Sequence, residues 1–452
     1  MKGAILMGFL LRNGFVYMPE GFRKADVFVS GERVFVDSIS SEDINSADRI
    51  IDCAGKAVVP GFTDVHVHLR EPGFFYKETI ATGTAAAARG GYTCVCPMPN
   101  LKPAPADLDS LKVQLDIIDR DAKVRVIPYG TITKGQNGRS ALSDMEALAP
   151  YVCAFSDDGK GIQTGELMEE AMIKAASLGK LIVAHCEDES LLTGGWIHEG
   201  RYAAEHGHKG ISSESEWKQV ERDVALAEKT GAAYHVCHIS TKETVDIIRK
   251  AKAKGINVTC ETGPHYLVMC EDDLEENGRF KMNPPLRSRE DKEALIEGII
   301  DGTIDMIATD HAPHSAEEKS KGLEGSAFGI VGLETSFPVL YTKLVAPGVI
   351  TLTRLIEMMS IAPRIRFGLP GGRSDMIKTG VPGTPDDEKR LARDYAIQDG
   401  CLADVTVLDI TGPYVIDSAG FESKGKATPF EGWTVCGRAA MTIVGGKIVW
   451  EN

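Results

Sequence analysis

Residues 61–73 read GFTDVHVHLREPG. The run starts on a glycine, passes through mostly apolar positions and stops at the Pro72-Gly73 break. An apolar run bounded by turn residues predicts a buried strand. Side chains alternate along a strand, so His66, His68 and Arg70 share one face. Seven more runs of this kind follow: YTCVCPM (92–98), VRVIPYG (124–130), YVCAFSD (151–157), LIVAHCED (181–188), AYHVCHIS (233–240), NVTCETG (257–263) and DMIATDHAP (305–313). Segments with helical periodicity lie between most of them, such as KETIATGTAAAARG, GELMEEAMIKAASLG and TKETVDIIRKAKAKG. Strands apolar on both faces and alternating with helices predict an α/β fold, a (β/α)8 TIM-type barrel. A doubly wound sheet would need a glycine-rich first turn, and no G-x-G-x-x-G follows any strand.

The two ends of the chain look different. LLRNGFVY, ADVFVSGERVFVDS and RIIDCAGKAVVPG near the start, and LADVTVLD, PYVID and WTVCGRAAMTIVGGKIVW near the end, are strand-like runs around glycine turns. They predict a small β-sandwich domain built from both chain termini, residues 1–58 and 400–452, around a barrel over 59–368. No helix is expected before Glu78, and residues 369–399, polar and rich in Gly and Pro, predict an inserted loop. The opening MKGAILMGFLLRNG mimics a short signal peptide, but Arg12 interrupts its apolar run and no small-residue cleavage site follows. The expectation is mature sequence, with FLLRNGFVYM continuing as a hairpin.

Composition narrows the class of partner. A net charge of −15 argues against nucleic acid or an anionic membrane as the main partner, while leaving room for a small anion held by a local arginine. Ten cysteines without a regular framework predict a reduced, cytoplasmic protein, and Cys94 and Cys96 alternate on a strand as small packing residues. No run approaches the ~20 apolar residues of a transmembrane helix.

In a parallel barrel the chemistry sits at the strand C-terminal ends. Those ends carry His66, His68 and Arg70, then Asp157 and Asp158, His185, His238, and finally Asp310, His311 and His314. A lone buried histidine is most simply one bonded to a backbone carbonyl, and His235, His265, His198, His206 and His208 are read that way. Four histidines and two aspartates on five of eight strand ends are not. Imidazole and carboxylate suit Zn2+, and six ligands suit two ions sharing a bridging carboxylate and hydroxide better than one catalytic zinc with three. Strand parity does not choose between Asp157 and Asp158. Arg70 has two readings, a salt bridge within the barrel mouth or a bidentate grip on a substrate carboxylate.

The motifs DVHVHLREPG, PMPN (97–100), AFSDDG, AHCED, CHIS, KMNPPLRS and ATDHAPH, in that order, resemble dihydroorotases of the bacterial class I type within the amidohydrolase superfamily. The resemblance spans about residues 12–368 and resumes over 400–452. It implies zinc-dependent, reversible cyclisation of N-carbamoyl-L-aspartate to L-dihydroorotate in pyrimidine biosynthesis. It further implies His66, His68 and Asp310 on one zinc ion, His185 and His238 on a second, and Asp158 with a hydroxide as the bridge; Asp157 is left to shape the loop. Many relatives bridge with a carboxylated lysine on strand four, where this chain has none, since Lys160 lies past the aspartates. Asp310 is the implied catalytic base, and His68, Arg70, Asn100, Asn283, His314, Phe328 and Gly329 the implied substrate contacts. The implied partners are the small substrate, a second copy in a homodimer, and aspartate carbamoyltransferase. A hydantoinase or allantoinase, and a non-catalytic scaffold for the carbamoyltransferase, are the alternatives. The first two lack the H-x-H-x-R-E-P-G and M-P-N pairing; the third lacks several of the six ligands.

Overall fold

The computed structural model describes residues 8–373 and 391–452, so residues 374–390 of the expected inserted loop lie outside the described residues. The chain opens with β1 (Gly8–Met18), β2 (Gly21–Ser30), β3 (Arg33–Phe35), α1 (Ser41–Ser46), β4 (Ala47–Asp52) and β5 (Lys56–Pro60). Two features depart from the sequence expectation. The RNG stretch is not a hairpin turn: β1 runs through it, and its pairing with β2 skips from Leu11 to Gly14 as a bulge. Asn13 takes φ 64° there, a region its short amide side chain tolerates, and its N–H donates to Asp26 Oδ1 at 2.8 Å. Helix α1 also precedes Glu78. It stands on a reciprocal capping box between Ser40 and Asp43 and buries none of its residues, so apolar periodicity could not reveal it.

From β6 (Phe62–Val67) the chain alternates strands and helices: α2 (Ile80–Arg89), β7 (Tyr92–Pro97), α3 (Leu108–Asp121), β8 (Arg125–Val126), β9 (Gly130–Thr131), α4 (Met145–Leu148), β10 (Phe155–Ser156), α5 (Gly165–Ser177) and β11 (Ile182–Ala184). After a side excursion of β12 (Ile197–His198), α6 (Arg201–His206) and β13 (Gly210–Ile211) come α7 (Glu214–Thr230), β14 (Tyr234–Val236), α8 (Lys242–Ala253), β15 (Val258–Thr262), α9 (Pro264–Val268), α10 (Arg289–Asp301), β16 (Met306–Ile307) and α11 (Ala316–Lys319). Strands β6, β7 and β8 pair in parallel, as do β9, β10, β11, β14, β15 and β16 in that order. The predicted strand VRVIPYG is thus split into β8 and β9 around Pro128, which has no N–H for the ladder, though its carbonyl still accepts from Cys153 N at 3.0 Å. A parallel bridge between Val67 and His311 links the far end of this path back to β6, with His68 N donating to His311 O at 2.8 Å.

Both faces of these strands are apolar. One face, made almost wholly from strands, gathers Val65, Cys96, Tyr129, Ala154, Val183 and Met306. The other, with Val95, Phe155, Ile182, Tyr234 and Ile307, packs on the helices. Cys94 and Cys96 lie buried in the strand-only cluster, as packing residues.

The chain ends in β17 (Cys401–Leu402), β18 (Val405–Val415), β19 (Thr434–Val444) and β20 (Lys447–Glu451). Strand β18 runs antiparallel to β5, from Val405 opposite Pro60 to Asp409 opposite Lys56. Both ends therefore share one nine-stranded sheet, ordered β17-β3-β2-β1-β5-β18-β19-β20 with β4 on β1.

Candidate metal centre and substrate cavity

Six side chains from the ends of five strands form one cluster around Asp158. Its Oδ1 lies 3.3 Å from His66 Nε2, 3.7 Å from His185 Nδ1 and 3.8 Å from His238 Nε2; its Oδ2 lies 3.6 Å from His68 Nε2. Asp310 Oδ1 is 2.9 Å from His68 Nε2 and 3.6 Å from His66 Nε2. Within this cluster two groups of three are compact enough to hold an ion, His66, His68 and Asp310, and His66, Asp158 and His238; a third compact group joins His66 to Cys237 and Glu261. His185 falls outside both and reaches the cluster through Asp158 and, at 2.9 Å, His238 Nε2. Asp157 faces away. It accepts from Ile132 N (2.8 Å), Thr133 N (3.0 Å) and Gly138 N (3.0 Å), and so shapes the loop before it.

The hydrogen-bond pattern calls for a cation. His66 Nδ1 lies 2.7 Å from Glu261 Oε1, and His68 Nδ1 lies 2.9 Å from Asn100 Oδ1; the Asn100 amide is oriented by donation to Asp158 Oδ2 at 3.3 Å. In the neutral rings both Nδ1 atoms donate outward, so both Nε2 lone pairs face the two aspartates. Lone pairs opposed to carboxylates repel unless a positive charge stands between them. His66 Nε2 and Asp158 Oδ1 are also buried without a hydrogen-bond partner. Ligand atoms around a tetrahedral zinc, at about 2.0–2.2 Å from the ion, sit roughly 3.4 Å apart, close to the spacings here. Burial disfavours charge on His66, but Asp158 and Asp310 outweigh it and raise the imidazole well above its usual range. Burial likewise opposes ionisation of Asp158 and Asp310, and the histidines hold both carboxyls well below theirs.

Three of these residues leave the regular backbone: Arg70 (φ 63°), His238 (φ 30°) and Asp310 (φ 47°) are in the left-handed region that L-residues avoid. Such strain collects where structure overrides local preference to aim a side chain.

The cluster opens into a cavity of about 350 Å3, lined also by Arg70, Asn100, Asn283, His314, Phe328 and Gly329. All the expected substrate contacts therefore lie on one cavity. Arg70 donates from Nε to Pro313 O at 3.2 Å, its Nη2 lies 3.3 Å from His314 Nε2, and it makes no ion pair among the described residues. His314 Nδ1 accepts from Lys77 Nζ (3.2 Å), which puts its proton on Nε2, donating to Phe328 O (2.7 Å). Burial, with Arg70, Lys77 and Lys319 nearby, pushes His314 down to about 3, so it is neutral.

Two site residues have no counterpart in the sequence reading. Glu261 on β15 is fully buried and joins His66 to His235, whose Nε2 lies 3.1 Å from its Oε2. A carboxylate inside an apolar strand, one position before Thr262, was the available signal. Glu187 lines the cavity and accepts from Asn283 Nδ2 at 3.0 Å. Of the remaining histidines, His235 also bonds Thr259 Oγ1 (2.8 Å) and His208 bonds Glu276 (2.7 Å), side-chain partners rather than carbonyls. His206 does bond a carbonyl, that of Tyr202 at 3.0 Å, but is exposed, not buried.

Comparison with known proteins identifies the family. The family model described as dihydro-orotase-like matches residues 55–244. The chain is 47% identical to the dihydroorotase of Bacillus cytotoxicus over 451 residues, 99% of each chain. It is 48% identical to that of Fusobacterium nucleatum over 443 residues, 98% of each. Among solved structures, the L-hydantoinase (dihydropyrimidinase) of Arthrobacter aurescens superposes with a TM-score of 0.81 at 27% identity, over 98% of this chain and 96% of that one. The dihydropyrimidinase of Brevibacillus agri, at 23% identity and a TM-score of 0.81 over 99% and 95%, shares the fold. With near-half identity over almost its whole length and a complete His/Asp cluster under an unpaired arginine, this chain belongs to the dihydroorotase family.

Proposed function

We infer that the protein is a dihydroorotase, interconverting N-carbamoyl-L-aspartate and L-dihydroorotate by closing and opening a ring amide. The observation that carries the reading is Arg70, a guanidinium without a protein carboxylate on the same cavity wall as the His/Asp cluster. A cyclic amidase for uncharged rings has no use for that cation; dihydroorotate has a carboxylate for it. We read the parallel strands as a closed (β/α)8 barrel over 59–368, supported by the Val67–His311 bridge. The nine-stranded sheet we read as a small sandwich of 1–58 and 400–452, supported by one apolar cluster joining Leu11, Val29 and Val58 to Val405, Met441 and Ile443.

The proposed ligands are His66, His68 and Asp310 for one zinc ion and His185 and His238 for the other, bridged by Asp158. Ions held there would supply Lewis acidity, acidifying a water molecule and polarising the ring carbonyl. Asp310, anionic at neutral pH, takes the proton of the attacking water and returns it to the departing ring nitrogen. Arg70 and Asn100 hold the substrate carboxylate, while Asn283, His314 and the backbone at Phe328 and Gly329 fix the ring. Family membership supports a homodimer, a cytoplasmic setting and association with aspartate carbamoyltransferase; among the described residues no helix is long and apolar enough to cross a membrane.

The test is metal analysis of the purified, zinc-loaded chain together with initial rates on dihydroorotate and hydantoin. Two ions per chain and a preference for dihydroorotate of about 100-fold or more are expected. Equal rates would make it a general cyclic amidase, and no bound metal would favour a scaffold.

A further inference from the structure

Lys319, the last residue of α11, is buried and does not line the substrate cavity. Its Nζ donates to three backbone carbonyls, those of Lys281 (2.9 Å), Ala327 (2.8 Å) and Gly329 (2.7 Å). It makes no ion pair among the described residues. Burial and the nearby Lys281 lower its pKa to about 7, against the opposing charge of Glu318. Three acceptors use all three N–H groups of an ammonium, whereas a neutral amine would turn its lone pair on one of the oxygens.

The carbonyls belong to two cavity walls. Lys281 precedes Asn283 by two residues, and Ala327 and Gly329 flank Phe328. The walls are tied again by Gly329 N donating to Lys281 O at 3.1 Å, and Ala327 N donates to Glu318 O at 3.0 Å. Phe328 O is taken by His314. Gly329 sits at φ 129°, where an added Cβ would stand 2.6 Å from Ala312 O, so this wall is pressed against the strand-eight end. The carbonyls of Ala327, Phe328 and Gly329 are thus all taken by protein side chains, and Phe328 itself lines the cavity.

We propose that Lys319 is a positioning residue for substrate binding. Its ammonium sets the spacing between the Asn283 wall and the Phe328–Gly329 wall without touching the substrate. The substrate named here rests on the dihydroorotase reading. The proposal itself concerns the walls.

The experiment compares zinc-loaded wild type with Lys319→Met, measuring metal content, kcat and KM for dihydroorotate, and hydrogen exchange at the Ala327 and Gly329 amides. The expected result is full metal content, KM raised about ten-fold, kcat changed by less than about three-fold, and faster exchange at both amides. An unchanged KM overturns the proposal, as does a joint loss of metal and kcat, which would make Lys319 a support of the metal cluster. If the methionine variant does not fold, Lys319→Gln, which keeps two donors, is judged by the same outcomes. If wild type does not turn over dihydroorotate, the dihydroorotase reading fails alone. The exchange arm then decides: faster exchange in the variant upholds the role of Lys319, and unchanged exchange overturns it.

Discussion

Glu261 Oε1 lies 2.7 Å from His66 Nδ1, so one of the two histidines that face both aspartates is itself held by a buried carboxylate. Burial opposes the charge on Glu261, yet hydrogen bonds from His235 and His66 lower its pKa to about 2. Such a partner fixes the tautomer of a ligating imidazole and strengthens it as a donor. Glu261→Gln keeps an acceptor but removes the charge. Its affinity for zinc, measured by competition with a chelator, should fall about ten-fold or more, with little change in fold by circular dichroism.

Substitution of Arg70 would separate substrate recognition from metal binding. Arg70→Met should retain the wild-type metal content while kcat/KM for dihydroorotate falls by about 100-fold or more, since a charge-assisted bidentate contact is lost. Metal analysis and kinetics on the same preparation check this. Parallel losses of metal and activity would return Arg70 to a structural role.

The two adjacent aspartates should behave differently. Asp158→Asn should bind far less zinc, because four imidazoles face that carboxylate. Asp157→Asn should keep its zinc and lose about 1–3 kcal/mol of stability by urea unfolding, because the carboxylate accepts three backbone N–H groups. If Asp157→Asn instead loses the metal, the bridge has been assigned to the wrong residue.

Glu334 gives a pH dependence remote from the metal cluster. It accepts from Glu422 N (2.9 Å) and Ser423 N (3.3 Å) and lies 3.4 Å from Arg89. Burial raises its carboxyl from 4.5 to about 7, against Arg89 and Lys426. Between those pH values the folded chain keeps a proton that the unfolded chain has released, so stability falls as pH rises through the window. The contribution is bounded at about 3 kcal/mol. Thermal unfolding from pH 4.5 to 7 should show a steeper decline for wild type than for Glu334→Gln.

All eight predicted runs carry strand in the predicted order, one of them split in two at Pro128, because apolar runs punctuated by Gly and Pro are local facts of the chain. So are the polar residues that end them, and the H-x-H-x-R spacing that turns two ligands and a guanidinium the same way. The capping-box helix α1 and the bulge at Asn13 escaped because neither leaves an apolar period. Glu261 and Lys319 escaped for another reason. Their partners, His66 and the carbonyls around Phe328, are distant or backbone groups that residue patterns do not mark.

The choice between Asp157 and Asp158 shows where local information ends. Cys153 and Ala154 both belong to the cluster made mostly from strands and Phe155 to the helix-covered one, so counting by two reaches Asp157 as readily as Asp158. Both faces are apolar, and the sequence alone does not say which one turns inward. His238 goes further: it follows Tyr234 and Val236 in parity, on the helix-covered face, yet reaches Asp158 because its backbone turns to φ 30°. The chain by itself thus set most of the elements and the inventory of candidate ligands, since both depend on neighbours within a few residues. Which ligands meet, which atom of each faces the cluster, and what holds the walls of the cavity were decided only when packing forced strand ends into conformations they would not adopt alone.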